Sequence, residues 1–337
     1  MRLTFLGTSA GMPTIERNVT ALALAMDDSR YWYLVDCGEG TQHQLLHCRY
    51  TLSHLQAIFI THVHGDHIFG LPGLVTSASM QGRTAPLTIY GPEGVESFVR
   101  HSLMLTDTHE LSFPLTFTRS DFPNFAYQNR ELSITSHSLS HCVPSYGYRF
   151  SENIIPHHLN AIKMEALGVP RGPLWGKLQK GNIVQLDNGH TVLPEQVLAK
   201  TPKKRVVIVG GDNDRPELLE SILPEADLLI HEATFTDEVF QQVGPRWKHS
   251  TAKNVAQVAA KVNLPNLILT HFSGRYRISA QSEEQNINAI RQEAQKFYSG
   301  RVELAEDFAI WQLNRGEGLL YMGNCEKKVC TNYTNPH

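Results

Sequence analysis

Residues 61–67 read THVHGDH, three histidines and one aspartate within seven residues, directly after the apolar run LQAIFI. A lone histidine on an apolar face is usually a satisfied core residue. Four such groups crowded together are different, because like donors and partly charged rings repel unless something cationic holds them. A metal ion is the usual answer. His62 and His64 are two positions apart and share one side of an extended segment. Asp66 and His67 follow Gly65, where the chain can turn to face a second point. One ion cannot easily use all four groups from so short a loop. Two neighbouring ions can.

Three distant residues extend the set. His141, Asp212 and His271 each lie just past a β-type run, LSITSHSLSH, VVIVGG and LILT. Alone, each reads otherwise: His141 as a surface residue, His271 as a core residue, Asp212 as a turn residue before NDRP. Together they complete a stoichiometry. His62, His64 and His141 fit one metal; Asp66, His67 and His271 fit a second; Asp212 has two oxygens and can bridge both. Two zinc ions suit these ligands, with manganese or iron tolerated by the same donors. Such a pair would acidify a shared water and neutralise phosphoryl charge, which suits phosphodiester hydrolysis that leaves a 3′-hydroxyl and a 5′-phosphate. The leaving 3′-oxygen needs a proton. HEAT at 231–234 and HST at 249–251 offer one, if Glu232 orients or charges His249 as a general acid. The alternative is that Ser250 or Thr251 caps the following helix and His249 is structural. His231 reads as structural.

These groups need strands to carry them. RLTFLG, YWYLVDCG, AIFITHVH, LTIYGP, RVVIVGGD, DLLIHEAT and NLILTH read as strands, and GVESFVRHSLML, TAKNVAQVAAKV and EEQNINAIRQEAQKFY as helices. The mixture predicts sheets covered by helices. If the strand ends meet on one edge, the ligands converge. Hydrophobic residues, 41% of 337, suffice for a buried core. The longest apolar runs fall well short of the roughly 20 residues of a membrane span, and the N-terminus suits a first strand better than a signal segment. Five cysteines, an odd number without paired spacing, predict a reducing, cytoplasmic setting, with Cys325 and Cys330 as bystanders. The net charge of −3 does not advertise nucleic acid. Residues 160–205 do, with eight basic residues (Lys163, Arg171, Lys177, Lys180, Lys200, Lys203, Lys204, Arg205) against three acidic ones.

THVHGDH is similar to the H-x-H-x-D-H motif of the metallo-β-lactamase superfamily. FLGTSAGMPTIERN, DCGEGTQHQL, HGDHIFGLPGL, GVPRGPLWGKLQKG, HEATF, HSTAKNVA, LTHFSGRY and LAEDF extend the resemblance across residues 3 to about 313. They resemble the short form of the tRNase Z family, also called ribonuclease Z or ribonuclease BN. The resemblance implies an α/β fold, an αβ/βα sandwich with metals at one edge, split into 1–151 and 206–313 around a flexible arm at 152–205. It leaves 314–337 as a tail of unknown role. It implies zinc-dependent removal of the 3′ trailer from precursor tRNA, with Asp66 as the base and His249 beside the scissile phosphate. The arm, through Arg171, Gly172, Pro173, Trp175, Lys177 and Lys180, would grip the tRNA, since a basic Gly/Pro-rich segment with one tryptophan makes little sense as core. A homodimer is also implied, one subunit's arm holding tRNA whose 3′ end enters the partner's site. Arg275 and Arg277 follow the His271 ligand and suit either phosphate contact or a solvated loop. Two features depart from the pattern: Asn213 stands where the family commonly has threonine, and the tail is not covered. Competing readings are a small-molecule phosphodiesterase or arylsulfatase-type hydrolase of the same fold, and a non-catalytic RNA-binding member.

Overall fold

The run ALALA at Ala21–Ala25 shows why this chain folds in layers. Leu22 and Leu24 face a core shared by two sheets, while Ala21, Ala23 and Ala25 pack into a second core under helices. Trp32–Val35 repeats the pattern, with Tyr33 and Val35 inward and Trp32 and Leu34 outward. Strands buried on both faces lose polar alternation and read as continuous apolar runs.

The computed structural model describes residues 1–27, 29–153, 159–198, 203–278, 280, 282 and 285–325. The chain opens with β1 (Arg2–Gly7), β2 (Ala21–Ala25), β3 (Trp32–Val35) and helix α1 (Thr41–Leu46), then β4 (Leu55–Phe59), α2 (Gly65–Ile68) and α3 (Leu71–Met80). β5 (Leu87–Gly91), α4 (Val95–Leu105) and β6 (Leu115–Arg119) follow. A second sheet starts with β7 (Ala126–Gln128), β8 (Leu132–Leu139) and β9 (Ser145–Glu152). Next come α5 (Ala161–Ala166), α6 (Pro173–Gln179), the pair β10 (Val184–Gln185) and β11 (Thr191–Val192), and α7 (Pro194–Val197). The second sheet resumes with β12 (Val206–Val209), β13 (Leu228–Glu232), α8 (Asp237–Val243), α9 (Ala252–Lys261), β14 (Asn266–Thr270), α10 (Asn288–Phe297) and β15 (Arg301–Leu304). β16 (Ala309–Asn314) and β17 (Gly318–Asn324) return to the first sheet.

The sheet orders are β17-β16-β1-β2-β3-β4-β5-β6 and β15-β14-β13-β12-β9-β8-β7. Their inner faces share one core, with α3 and α4 against one outer face and α9 and α10 against the other. The αβ/βα sandwich is therefore present. β12, β13 and β14 run parallel, and β8 runs the same way because it is antiparallel to β9, which is antiparallel to β12. Their C-terminal ends consequently share an edge. Phe59 sits at the centre of the shared core, stacked on Tyr90 at 5.0 Å and edge-on to Tyr148 and Phe150. Phe59→Ala is expected to cost about 3–5 kcal/mol, measured by urea unfolding, because a fully buried ring leaves a cavity its neighbours only partly fill.

Three expectations change. The segment 159–198 is not a coreless extension: Met164, Val169, Leu178, Val184, Val192 and Val197 form their own buried cluster, with Trp175 partly buried against it. A short helix started by Pro173 turns Leu178 inward, so the glycines and prolines bound structure rather than exclude it. Arg205 belongs to the body and not to the basic surface. It is buried, pairs with Glu152 at 2.9 Å and donates to the Leu313 carbonyl, because Glu152 and Arg205 meet where β9 ends and β12 begins. Finally, the tail begins inside the fold, since Gly318–Asn324 pairs antiparallel with β16 as an edge strand. Residues 326–337, with Cys330, lie outside the described residues, as does Lys200.

Candidate metal centre and active site

The shared edge gathers all seven sequence-identified ligands. β4 ends just before His62 and His64, β8 before His141, β12 before Asp212 and β14 before His271, while α2 carries Asp66 and His67. That loop lies so close to residues 37–38 that only glycine fits at positions 38 and 70: a side chain on Gly38 would collide with the Asp66 carbonyl, and one on Gly70 with the Gly38 carbonyl.

Three groups of candidate ligands have atoms within 4.8 Å of one another: His62, His64, His141 and Asp212; Asp66, His67 and His271; and Asp212, His249 and His271, which draws on residues of the other two. Asp212 divides its oxygens between the first two. Oδ2 faces His62 Nε2 at 3.7 Å and His141 Nε2 at 3.6 Å, and Oδ1 faces His67 Nε2 at 3.5 Å and His271 Nε2 at 3.4 Å. Asp66 Oδ2 lies 3.4 Å from His67 Nε2 and 3.3 Å from His271 Nε2.

The rings are fixed from behind. His67 Nδ1 meets Asp36 Oδ2 at 2.8 Å, and His62 Nδ1 meets Thr61 Oγ1 at 3.0 Å, whose hydroxyl donates to Asp36 at 2.9 Å. His141 Nδ1 meets the Lys248 carbonyl at 2.9 Å, and His271 Nδ1 meets Thr234 Oγ1 at 3.1 Å. In these four rings Nδ1 is taken up behind the site, so Nε2 is the atom turned to the cluster, whereas His64 turns Nδ1 to it, 3.2 Å from His141 Nε2. Against burial, Asp66, Asp212 and Asp36 hold His67 well above its ordinary value. His62 Nε2 and His67 Nε2 are buried without a hydrogen-bond partner. Such an orphaned pair is costly unless a cation takes it, and rings held this way are typical of metal ligands. The donor set fits a divalent metal.

Charge supports the same reading. Burial drives His62 well below its ordinary value, with His67 adding repulsion, so it is neutral and ligand-ready. Burial opposes ionisation of Asp66, but His67 and His271 outweigh it and hold the carboxyl far below the usual carboxylate range. Asp66 Oδ2 also accepts the Gly11 N–H at 2.8 Å.

Beside Asp212 stands the proposed acid. His249 Nδ1 lies 3.0 and 3.1 Å from the two Glu232 oxygens and 3.7 Å from Asp212 Oδ2. Burial disfavours the charged ring, yet Glu232, with Asp212 and Asp66 adding, raises His249 to about 9. Glu232 goes the other way, to about 2, because His249 overcomes the cost of burial. Thr251 caps α9 by accepting the Asn254 N–H at 3.2 Å, so capping and the His249–Glu232 pair coexist. Asn213 is well accommodated. Its backbone N–H donates to Glu232 at 2.8 Å, its amide meets His231 Nε2 at 3.0 Å, and its side-chain oxygen accepts from Ser140 at 3.1 Å. A cavity of about 540 Å³ opens over the cluster, rimmed by Met12, Phe69 and Trp247.

The arm residues lie elsewhere. Arg171, Gly172, Pro173, Lys177 and Lys180 are exposed, and Arg171 pairs with Glu165 at 2.9 Å. Trp175 donates from its indole to the Val169 carbonyl at 3.2 Å. Reading the sequence missed Asp36, Thr61, Gly11 and Thr234. DCGEG, FLGTSAGM and HEAT contain three of them, but only tertiary contacts reveal that they orient ligands.

Comparison with known proteins decides the family. The chain is 49% identical over 315 residues to ribonuclease Z of Marinobacter nauticus, covering 94% of this chain and 97% of that one. It is 47% identical to ribonuclease Z of Pseudomonas putida, covering 94% and 98%. The chain belongs to the ribonuclease Z family. The crystal structure of human tRNase Z, short form, superposes with a TM-score of 0.63 at 27% identity, covering 93% of this chain and 100% of that one. A family model described as anti-Pycsar protein Apyc1 matches residues 1–155, which hold only the first part of the ligand set. The ribonuclease Z matches span all seven candidate ligands.

Proposed function

We propose that the chain is a tRNA 3′-processing endoribonuclease that hydrolyses the trailer of precursor tRNA at two zinc ions, leaving a 3′-hydroxyl and a 5′-phosphate. The observation that carries this chemistry is the division of Asp212 between two histidine groups, with the His249–Glu232 pair alongside. Family membership supplies the tRNA. His62, His64, His141 and Asp212 would hold one ion, and Asp66, His67, His271 and Asp212 the other, with manganese or iron as substitutes. Bound there, divalent ions acidify water and neutralise phosphoryl charge. Asp66 takes the hydrogen bond of the attacking water, and its proton on attack. Its own low basicity means that the water's acidity drives that transfer. His249 carries a proton at neutral pH and delivers it to the leaving 3′-oxygen, held in charge and orientation by Glu232. Bound cations would draw the His249 value downward from about 9, which leaves Glu232 as the group that keeps the ring protonated.

Residues 152–205 act as the tRNA-gripping arm in this proposal, through Arg171, Lys177 and Lys180 with Gly172, Pro173 and Trp175. Its folded cluster makes the arm a preshaped module, and Trp175 serves packing as well as contact. A cytoplasmic homodimer completes the proposal, the arm of one subunit holding tRNA for its partner; sedimentation showing only monomer at micromolar concentration would remove the dimer. No described helix is long and apolar enough to cross a membrane.

The arm separates this function from a small-molecule hydrolase. Replacing 168–181 by a short linker should leave metal content and turnover of a nitrophenyl phosphodiester nearly unchanged, since no ligand lies there. Precursor tRNA binding should weaken by about 10²-fold at moderate salt and depend less steeply on salt, because remote phosphate contacts are lost. Undiminished tRNA processing would favour the small-molecule hydrolase.

A further inference from the structure

Cys48 and Cys325 meet away from the metal centre, although 277 positions separate them. Their sulfurs lie 2.6 Å apart, closer than two unbonded sulfurs ordinarily come. Folded backbone holds both. Cys48 N–H donates to the Leu45 carbonyl at 3.0 Å, in the turn that ends α1, and Cys325 N–H donates to the Phe308 carbonyl at 2.9 Å, directly after β17. The contact therefore joins two fixed points. Both side chains are half-buried and line a cavity of about 410 Å³ that also includes Arg2, Arg49 and Tyr50. A small oxidant can reach them.

The other described cysteines contrast with this pair. Cys37 is fully buried, and burial pushes its thiol up. Cys142 is exposed and touches only the Arg246 carbonyl, at 3.6 Å. At the pair, the contact with Cys48, with Arg2 and Arg49 adding, holds the Cys325 thiol below its ordinary value despite burial, and the same contact and burial raise Cys48. The two sulfurs touch, so whichever is the thiolate can attack and the other can resolve.

We propose that Cys48 and Cys325 form a reversible disulfide under peroxide, a modification site that fastens the edge strand β17 to the turn after α1. One sulfur of the pair, as thiolate, attacks a peroxide oxygen, the O–O bond breaks, and the departing hydroxide takes a proton to leave as water. The other sulfur then attacks the resulting sulfenyl sulfur; the S–S bond forms, the S–O bond breaks, and the hydroxyl leaves as water with the second thiol's proton. Two thiols lose two electrons, and one peroxide becomes two waters. A dithiol reductant reverses the bond by exchange. In reducing surroundings the pair stays open and closes only under oxidative challenge. Closing so long a loop restricts the unfolded chain, so the oxidised protein should unfold at higher temperature.

The test uses the full wild-type chain, reduced and then treated with hydrogen peroxide, alkylated and digested with trypsin. Cleavage after Lys327 and Lys328 separates Cys325 from Cys330. The expected product joins the peptide 31–49 to the peptide 316–327 through Cys48, two hydrogens lighter than the two alone, and dithiothreitol splits it. The thermal midpoint should rise on the order of 5 °C, and Cys48→Ser and Cys325→Ser should each abolish that rise. Linkage of Cys48 to Cys330, or separate sulfinic acids on Cys48 and Cys325, would overturn the proposal.

Discussion

Asp212→Ala is expected to leave well under two metal ions per chain and to lower precursor cleavage by at least about 10²-fold. Asp212 is the only ligand whose two oxygens face both histidine groups, at 3.4–3.7 Å. Its loss removes one anionic ligand from each half at once. Six remaining groups, five of them neutral imidazoles, would then have to hold two dications with only Asp66 to offset the charge. Elemental analysis of the purified variant reads the result without any assay. His67→Ala supplies the contrast, since it should impair one half more than the other. Two ions and full activity in Asp212→Ala would show that the bridge does not exist.

His249→Ala should keep its metal and slow RNA cleavage by about 10²–10⁴-fold, the range of a lost general acid. A nitrophenyl phosphodiester has a leaving group that needs little protonation, so its turnover should fall much less. Equal loss on both substrates would assign His249 to positioning. The pH profile gives an independent reading. Despite burial, Glu232 raises His249 to about 9 before any cation binds, and bound cations bring it lower, so activity that needs the charged ring falls as pH rises through a value below about 9. Glu232→Gln removes the charge that holds the ring up, and the alkaline limb of kcat should move downward toward the ordinary histidine range near about 6.5. An unmoved limb would separate Glu232 from the acid.

Much of this site was legible because metal ligation demands rare side chains at strand ends. His62, His64, Asp66 and His67 announce themselves in seven residues, and His141, Asp212 and His271 follow runs that read as strands. The supporting groups were not legible. Asp36 reads as one acid in a glycine-rich turn; only the fold brings it to His67 and, through Thr61, to His62. Asp307 is similar, half-buried and pushed up by burial to about 6, yet receiving the Asn18 N–H and the Thr8 hydroxyl from far along the chain. Among the elements, the parallel strands β4, β12, β13 and β14 stood out as apolar runs. β7 and β17 lie at sheet edges and carry mixed, partly exposed sequences that no alternation marks; β6, LTFTR, does alternate, but over only five residues. In the arm, basic residues with Gly and Pro suggested an open extension. Leu178, Val184 and Val192 nonetheless meet, because apolar residues spread over several short elements give no periodic signal.

Attack of water on precursor tRNA leaves a chemical signature at both new ends. A 3′-extended precursor tRNA, incubated with the purified chain and divalent metal and then analysed at both ends, should show one internal cut, a tRNA ending in a 3′-hydroxyl and a trailer beginning with a 5′-phosphate, all abolished by Asp212→Ala. A 2′,3′-cyclic phosphate on the tRNA and a 5′-hydroxyl on the trailer, or no cut where a nitrophenyl phosphodiester is turned over, would contradict that attack.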